Sequence, residues 1–390
     1  MNVRRKNLKR NVLVVPGWCD PRLLAGIGRY AREAGWHLEL RAMFEGTVPV
    51  GWTGDGMLAN DTAVPRIGKF VEEQSKKQPT VLIGSHHLDT RLPRVREDNA
   101  GMGRIAAEHF MDRGYRHYAW FSKQRIGVET ERRDAYAAAL AANGHHCHFL
   151  EWGTGRGRKK DTWANAKAWV SVELQKLPKP LALFVMDDSL AVDAVQACLD
   201  SGFRVPEDVA VLALGNLDLI CECSPVVLSS VDEDLCEIAY RGARLLDRLM
   251  NGEPAPDQPE VVPHRGIVLR KSTQHFAITE PGLLKAAAFM AEHFARDIGL
   301  EDVARHAGLS LRAMHYAFKR ELQRSPGQHL LRIRMDHAKE MLAKGDEKIG
   351  AIALACGFLT PRNFHRAFIK ELGLPPGAYR ASLAVVSSRP

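Results

Sequence analysis

LEDVARHAGLSLRAMHYAFKRELQRSP at residues 300–326 and IGAIALACGFLTPRNFHRAFIKELGLPPGAYR at residues 349–380 carry one pattern written twice. In each copy, apolar residues recur three and four positions apart and stop at a glycine, Gly308 or Gly357, which is typical of a short buried helix. A second amphipathic helix follows a candidate N-cap, Ser310 or Thr360. Two helices joined by a short glycine turn form a helix-turn-helix unit, so the pattern predicts two such units.

The inner face of each predicted pair is apolar. Pro361 stands at the first position of a helix in the second copy, where its missing N–H costs nothing. The predicted inward residues are Leu300, Val303, Ala304, Ala307, Met314, Phe318 and Leu322 in the first copy and Ile349, Ile352, Ala353, Cys356, Phe364, Phe368 and Leu372 in the second. The end of the chain is therefore predicted to be an all-α domain with two helix-turn-helix motifs.

The outer face of the second helix in each pair carries polar and basic side chains. These side chains can donate to or accept from base edges and phosphates in a major groove. They are Arg312, His315, Tyr316 and Lys319 in the first copy and Arg362, Asn363, Arg366 and Lys370 in the second. Charged residues on one outward face can be merely solvated, but two matched faces in one basic domain favour double-stranded DNA as the partner.

The segment between the copies, residues 326–342, predicts one helix with Leu330, Ile333, Ala338 and Leu342 on its apolar side. At 1.5 Å per residue, roughly 17 residues make a rod about 25 Å long. A rod of that length can hold two recognition helices about one DNA turn, ~34 Å, apart on one side of a duplex.

The chain of 390 residues has a net charge of +8, most of it near the end. Residues 281–390 contain 17 lysines and arginines against 10 acidic residues, whereas the front of the chain is close to neutral. This distribution points to nucleic acid as the partner of the C-terminal domain. The length predicts two or three domains.

The seven cysteines show no paired metal-binding spacing and are typical of reduced thiols in a cytosolic protein. Two clusters leave a metal alternative open: Cys221 with Cys223, and the run HHCH at residues 145–148. The run enters a predicted strand, where alternate side chains point apart, which favours ordinary loop and strand histidines. The basic, glycine-rich stretch 153–160 fits neither phosphate-loop pattern and is predicted to be a surface loop. Neither a metal nor a cofactor is expected.

No transmembrane helix is expected, because no run of about 18 apolar residues occurs. The basic start, MNVRRKNLKR, could mimic the first part of a signal peptide, but the apolar segment after it is short and stops at Pro16-Gly17. We therefore expect a cytoplasmic protein without a membrane partner, in which residues 1–10 form a solvated tail.

Residues 11–280 alternate strand-like and helix-like segments, which predicts parallel sheets with helices on both faces. The length suggests two similar lobes, and a cleft between them would close on a small molecule at the carboxyl ends of the strands. The predicted strands are 11–15, 57–59, 80–84, 118–121, 148–151, 181–186 and 209–213, and the predicted helices are 22–34, 103–113, 131–143, 163–177, 190–201 and 235–251.

The quoted C-terminal stretches resemble the DNA-binding domain of AraC-type transcription regulators over roughly residues 282–382. The closing pattern of Gly373, Pro376, Tyr379 and Arg380 belongs to this resemblance. The family's base-reading positions correspond to Arg312, His315 and Tyr316 in the first copy and to Pro361, Arg362, Asn363 and Arg366 in the second. Proline has no donor, so Pro361 is expected to contribute only shape or methyl contact.

The front of the chain resembles the sugar-binding core shared by LacI/GalR-type repressors and type I periplasmic binding proteins. The phrases that carry the likeness are DNAGMGRIAAEHFMDRGYRHYAWFS at 98–122, ERRDAYAAALAANG at 131–144 and FVMDDSLAVDAVQACLDSGFRVPEDVAVLALGN at 184–216. This core followed by an AraC-type tail is similar to the xylose-operon activators. The resemblance implies an effector domain at 11–272, a linker at 273–281, a DNA-binding domain at 282–382 and a tail at 383–390.

Candidate effector contacts follow from the resemblance and from chemistry, because carboxylates and Arg or Asn side chains bind sugar hydroxyls. Asp20, Arg132 and Asp188 match ligand-facing positions of the family, although an aspartate after a strand is often only a helix cap. Trp18 could stack on a sugar ring or belong to the core or rim.

One position departs from the family. Gly215 stands where the family usually presents an aspartate to the ligand, which removes a hydrogen bond worth roughly 1.5–3 kcal/mol. Asn216 or Asp218 could compensate. The effector could therefore differ from xylose.

These features predict a sugar-responsive transcription regulator that binds a DNA operator as a homodimer. The resemblance favours activation and RNA polymerase as a partner, with a sugar such as xylose as the effector. The alternatives are a repressor with a different effector and a soluble sugar-binding protein of the transport type. An enzyme is disfavoured, since GxSxG, HExxH and nucleotide-loop motifs are missing.

Overall fold

The computed structural model describes residues 9–15, 20–42, 47–60, 65–84, 92–123, 127–278, 280–322, 324–344 and 347–384. The chain forms two compact units. The first comprises Met1–Arg104, Ser122–Ala138 and Val231–Arg265, and the second comprises Ile105–Phe121, Ala139–Ser230 and Gly266–Pro390.

The described strands number twelve. In chain order they are β1 (Asn11–Val15), β2 (His37–Glu39), β3 (Gly56–Asn60), β4 (Thr80–Ile83), β5 (Arg94–Glu97), β6 (His117–Ser122), β7 (Cys147–Glu151), β8 (Leu181–Val185), β9 (Val209–Leu214), β10 (Ser229–Asp232), β11 (Glu260–Val262) and β12 (Gly266–Val268).

The described α-helices number sixteen, and a short 3-10 helix spans Lys271–Thr273. In chain order they are α1 (Pro21–Ala34), α2 (Pro65–Ser75), α3 (Asn99–Asp112), α4 (Gly127–Ala141), α5 (Trp152–Gly155), α6 (Trp163–Lys176), α7 (Asp188–Asp200), α8 (Asp218–Cys221), α9 (Leu235–Met250), α10 (Pro281–His293), α11 (Leu300–Ala307), α12 (Leu311–Leu322), α13 (Pro326–Lys344), α14 (Ile349–Ala355), α15 (Pro361–Leu372) and α16 (Pro376–Ala384).

The first unit contains a parallel sheet in the order β11-β5-β4-β3-β1-β2. Val12 and Val14 of β1 pack into one apolar layer with α1 and α9, whereas Leu13 and Val15 pack into a second layer on the opposite face. Because both faces are covered, β1 is a continuous apolar run and not an alternating one.

The second unit contains a sheet in the order β12-β10-β9-β8-β6-β7. Strands β6, β8 and β9 pair in parallel. Side chains of α6 and α7, including Trp169 and Val195, pack on the sheet in one large apolar cluster. The two predicted α/β lobes are confirmed.

The seven C-terminal helices surround two separate apolar cores. The first core is built from α10, α11 and α12, and the second from α14, α15 and α16. Helix α13 belongs to both, since Leu330 packs in the first core and Met335, Ala338 and Leu342 pack in the second. The all-α domain with two helix-turn-helix motifs is confirmed. The connecting helix has 19 residues and ends at Lys344, slightly beyond the predicted end.

Several elements differ from the sequence prediction. Glu260–Val262 lies outside the predicted strands but forms strand β11, paired with β5 at the sheet edge. Within the predicted loop 153–160, the first three residues belong to α5. Such short elements contain too few residues to show a period. At the ends of the predicted linker 273–281, Thr273 is fully buried and Pro281 begins α10.

In the described ranges, no helix combines the length and the apolar character that crossing a membrane requires.

Candidate DNA-binding and effector-binding sites

The first helix-turn-helix is built as its sequence pattern predicts. Helix α11 ends at Gly308, whose φ of 69° is the left-handed conformation that glycine adopts readily. The Ser310 hydroxyl then accepts from the backbone N–H of Ala313 at 3.1 Å and caps α12. Met314 and Phe318 are fully buried against α10 and α11, so the opposite face of α12 is turned outward.

The second helix-turn-helix repeats this arrangement. Gly357 has a φ of 77°, and the Thr360 hydroxyl accepts from the backbone N–H of Asn363 at 3.1 Å. Pro361 stands in the first turn of α15, and Phe364 and Phe368 are fully buried.

The predicted base-reading faces are exposed on both recognition helices. The exposed residues are Arg312, His315, Tyr316 and Lys319 on α12 and Arg362, Asn363, Arg366 and Lys370 on α15. Among the residues described, none of these eight side chains forms a hydrogen bond or ion pair; Tyr316 lies under the Arg320 guanidinium, 5.7 Å away. Their donors and acceptors are therefore uncommitted.

Arg334 of α13 ties the two helix-turn-helix units together. Its guanidinium donates to the carbonyl oxygens of Phe294 at 2.9 Å and Arg296 at 3.0 Å, just beyond the end of α10. The Phe294 ring stacks on His337 with centroids 4.0 Å apart. On its other side the Phe294 carbonyl abuts Gly357, in the turn of the second unit. This contact restrains the placement of one unit relative to the other.

Asp20, in the first compact unit, caps helix α1. Its carboxylate accepts from the backbone N–H of Arg22 at 2.8 Å and from the Arg22 guanidinium at 2.7 and 3.0 Å. Burial disfavours the guanidinium charge, but Asp20, Glu233 and Asp232 outweigh it and raise the pKa of Arg22. The capping alternative is thus confirmed for Asp20, and its effector role stays a prediction.

Arg132 is buried in the same unit, with 4% of its surface exposed. Its guanidinium donates to Glu97 at 3.1 Å and to Glu233 at 3.4 Å, and its Nε donates to Asn99. Two buried carboxylates therefore compensate the charge and hold the guanidinium plane in one orientation. Within the described residues the recorded hydrogen bonds and ion pairs of Arg132 involve Nε and Nη2 and not Nη1.

Asp188, in the second compact unit, organises the loop after β9. One carboxylate oxygen accepts from the backbone N–H of Leu217 at 2.7 Å, and the other accepts from the Ser230 hydroxyl at 2.6 Å. The cap of α7 is the neighbouring residue, Asp187, which accepts from the N–H of Leu190 at 2.7 Å. The capping alternative is therefore wrong for Asp188, because Asp187 already fills that role.

Gly215 leaves room for the carboxylate of Asp188, because it has no side chain. Its φ is 120°, and a Cβ at this position would lie 3.0 Å from Oδ2 of Asp188. The Asp188 carboxylate thus occupies the space that a side chain at 215 would need.

Asn216 and Asp218 are both held by Arg270. The guanidinium donates to Asn216 Oδ1 at 3.0 Å, to Asp218 at 2.7 Å and to Glu222 at 2.8 Å. It also donates to the carbonyl of Leu228 at 3.0 Å. The two predicted effector residues therefore lie together on one loop, and their shared partner is a residue that sequence reasoning missed.

Comparisons with known proteins agree with this division of the chain. Residues 107–273 match the periplasmic binding protein-like domain family, and residues 303–382 match a helix-turn-helix domain family. The chain is 26% identical to the Xylose operon regulatory protein of Haemophilus influenzae, over 93% of this chain and 95% of that protein. It is 24% identical to the protein of the same name in Escherichia coli K12, over 93% of each.

This chain is a DNA-binding transcription regulator.

The fold of the regulator is similar to a solved structure described as the xylose-binding transcription activator xylR. The TM-score is 0.59 at 22% identity, covering 96% of this chain and 98% of that one. The predicted combination of a LacI/GalR-like core with an AraC-type tail is confirmed, as is the expectation of a regulator and not an enzyme.

Two predictions remain, the effector role of Trp18 and the metal alternative for the cysteine and histidine clusters. Trp18 lies outside the described residues. Across the described ranges no three His, Cys, Asp or Glu side chains group as metal ligands would. Cys147 and His148 of the HHCH run lie in β7, as predicted for strand residues.

Arg22, Arg270 and Arg334 were not predicted as site residues. The partners of Arg270 and Arg334 lie 38 to 54 positions away in the sequence, so no local pattern marks these two residues. Arg22 bonds Asp20 only two positions away, but this pair has the spacing of an ordinary helix cap. The signal that could have found Arg270 is the acidic loop itself, since Asp218 and Glu222 are close enough in sequence to share one guanidinium.

Proposed function

We propose that the regulator binds a sugar in its front domain and activates transcription from a sugar-catabolic operon, with a pentose such as xylose as the first candidate. Two relatives are named Xylose operon regulatory proteins, and both align over nearly the whole chain. The solved structure with a similar fold is described as a xylose-binding activator.

The DNA-binding half of the proposal rests on one observation. Two matched helix-turn-helix units present eight exposed side chains that form no hydrogen bond or ion pair with the residues that the structure describes. Arg312 and Arg362 are suited to guanine, Asn363 to adenine, and Lys319 and Lys370 to phosphates. Arg312 and Arg362 are each the second residue of their helix, so one chain can contact two successive segments of a major groove.

The effector half rests on two buried, oriented charges. Arg132 is held by Glu97, Asn99 and Glu233, and Asp188 is held by Leu217 and Ser230. A carboxylate has about four acceptor sites, so Asp188 can accept a further hydroxyl while keeping its present bonds. The other proposed contacts to the sugar are Asp20, in the first compact unit, and Asn216 and Asp218, in the second.

The remaining parts of the proposal concern assembly. The regulator acts in the cytoplasm as a homodimer, places two C-terminal domains on an operator and contacts RNA polymerase there. A sugar can change operator affinity only through a difference in its affinity for the two states of the protein.

One observation favours a different effector. Gly215 has no side chain, so one carboxylate that the family resemblance leads us to expect is missing, and Asp188 fills the space beside it. Loss of one carboxylate changes which hydroxyls of a sugar are recognised. The second candidate is therefore a regulator of the same kind that responds to a sugar other than xylose.

Two measurements test the proposal. Thermal shift against pentoses and hexoses identifies the effector, because a ligand at 100 times its Kd stabilises the protein by about 2.7 kcal/mol. A mobility shift with the duplex upstream of its own gene, repeated at several salt concentrations, tests DNA binding. We expect the logarithm of the binding constant to fall linearly with the logarithm of the salt concentration. We also expect the affinity to change when the sugar that shifts Tm is added. A protein that binds sugars but no duplex at low salt would support the transport-type alternative instead.

A further inference from the structure

A continuous line of hydrogen bonds runs through the second compact unit, from the loop that carries Asn216 and Asp218 toward the DNA-binding domain. The residues that compose it are Arg270, Ser229, Thr273, His109 and Arg113. Ser229 and Thr273 are fully buried and His109 is almost fully buried.

The chemistry of His109 sets the direction of the line. Arg113 Nη1 can only donate, so His109 Nδ1, 3.0 Å away, must accept. The ring is neutral, since burial and the nearby guanidinium of Arg113 hold its pKa well below the usual range. The proton is therefore on Nε2, which donates to the Thr273 hydroxyl at 3.0 Å.

The next hydroxyls continue in the same direction. Thr273 Oγ1 already accepts from His109, and its own proton goes to Ser229 Oγ at 2.8 Å. Ser229 Oγ in turn donates to the Arg270 carbonyl and accepts from the Arg270 N–H, both at 2.8 Å. The Arg270 side chain then holds Asn216 and Asp218. Each group has only one arrangement of donors that satisfies its neighbours.

The opposite end of the line reaches the linker that precedes the DNA-binding domain. The Arg113 carbonyl accepts from the N–H of Ala277 at 2.8 Å, and its guanidinium lies 5.9 Å from the Phe276 ring. One turn of α3 that contains His109 also carries Glu108 and Asp112. These carboxylates form ion pairs with the DNA-binding domain: Glu108 with Arg332 at 2.9 Å, and Asp112 with both Arg332 and Arg324.

We propose that this line of bonds, centred on Thr273, is the route by which the effector loop and the attachment of the DNA-binding domain influence each other. The proposal rests on the proposed function, in which Asn216 and Asp218 bind the effector. When Arg270 shifts to hold that loop differently, its backbone shifts the hydrogen bonds that it makes with the Ser229 hydroxyl. The hydrogen bonds of Thr273 and His109 then shift in turn, as far as the end of α3, where ion pairs attach the DNA-binding domain. Thr273 is a positioning residue in this route.

Amide hydrogen exchange of the full-length protein, without sugar or DNA, tests the route. Thr273→Val keeps the shape of the side chain and removes the hydroxyl, and Ser229→Ala breaks the line one step further on. We expect exchange to become at least about threefold faster in two separate peptides, 216–222 and 274–280, in both variants. If Thr273→Val does not fold, Ser229→Ala alone tests the route.

Two matched variants separate the route from simple loss of a buried hydroxyl. Thr273→Ser restores the hydroxyl and should restore wild-type exchange at both ends. Ser272→Ala removes the adjacent buried hydroxyl, which bonds Val211 and Ser229 N–H outside the line, and should leave both peptides near wild type.

The proposal is overturned if acceleration is confined to one of the two peptides, or if Ser272→Ala accelerates both as much as Thr273→Val does. Because neither sugar nor operator is present, a negative result here leaves the effector assignment standing. Conversely, failure of every sugar to bind would leave the exchange result valid.

Discussion

The backbone carbonyl of Phe294 abuts the side of Gly357 that a Cβ would occupy. The equivalent glycine of the first helix-turn-helix, Gly308, has a similar φ, but among the described residues no atom beyond its chain neighbours lies within 4 Å of its Cβ position. Two turns with one sequence pattern therefore differ in tertiary role. The turn at Gly308 only ends a helix, whereas the turn at Gly357 also forms part of the contact between the two helix-turn-helix units.

Alanine at these two glycines should have different effects on stability. Gly308→Ala adds only the strain of a left-handed residue, about 1 kcal/mol. Gly357→Ala adds the same strain and also displaces the Phe294 carbonyl and Arg334, so we expect a loss of about 3 kcal/mol or more. Urea denaturation of both variants measures the difference. Equal losses would contradict the contact between Phe294 and Gly357.

Arg362→Ala tests base recognition by α15. The guanidinium is exposed and uncommitted, so we expect a loss of roughly 1–3 kcal/mol in operator affinity and a relaxed preference at one base position. Binding to a library of operator variants is the measurement. Lys285→Ala removes the same charge from the exposed side of α10 and should leave the preference unchanged. Uniform weakening on every sequence would show that Arg362 contacts only phosphate.

Asp188→Ala tests the effector site in the second unit. Loss of the carboxylate frees Leu217 N–H and the Ser230 hydroxyl and removes the proposed sugar contact. We expect the sugar-induced change in DNA affinity to vanish while affinity without sugar is retained, as measured by fluorescence anisotropy. Asp187→Ala, which removes a helix cap worth about 1 kcal/mol, is the control and should keep the sugar response. A sugar response that survives Asp188→Ala would rule out this assignment.

Gly215→Ala tests the crowding beside Asp188. A methyl group there would press on the carboxylate and adopt a φ that side chains rarely tolerate, so we expect weaker sugar binding together with a loss of about 1–3 kcal/mol of stability. Gly144 also has a positive φ, but its Cβ position is open. Gly144→Ala should therefore lower stability by about 1 kcal/mol and leave sugar affinity intact, as read by calorimetric titration. Unchanged sugar binding in Gly215→Ala would argue against the site.

His329→Phe tests a buried histidine on α13 whose ring nitrogens have no partner in the described structure. The ring lies 5.4 Å from Phe318, and burial, together with Arg324, Arg113 and Arg332, lowers its pKa to about 3. Phenylalanine should raise stability by ~1–3 kcal/mol, because two unsatisfied polar atoms disappear.

The same substitution should change the pH dependence of stability. The unfolded chain binds a proton at His329 below about pH 6.5, but the folded chain does not until about pH 3. Between these values the unfolded state holds more protons, so wild-type stability falls as the pH falls. His329→Phe should lose about 1 kcal/mol less than wild type between pH 7.5 and pH 5.5. His365→Phe, at an exposed site on α15, is the control and should follow the wild-type curve.

Local sequence patterns predicted the position of a residue correctly wherever that position depends on residues a few places away in the chain. The spacing of Met314 and Phe318 defines which face of α12 is buried, and therefore which face Arg312 shares with Lys319. The Thr360 hydroxyl caps α15 by accepting a hydrogen bond from the N–H of Asn363, only three residues away. Short edge strands such as β11 escaped prediction, because three residues pair with a distant strand and carry no period of their own.

The sequence by itself determined the two helix-turn-helix units, their outward basic faces and the α/β front domain, because helical and strand periods are read over a few consecutive residues. Only the tertiary structure decided that Arg270 holds Asn216, 54 positions away, that Asp188 occupies the space beside Gly215, and that Phe294 meets Gly357. Those contacts depend on how the backbone packs, and no local spacing encodes a distance between residues that folding alone brings together.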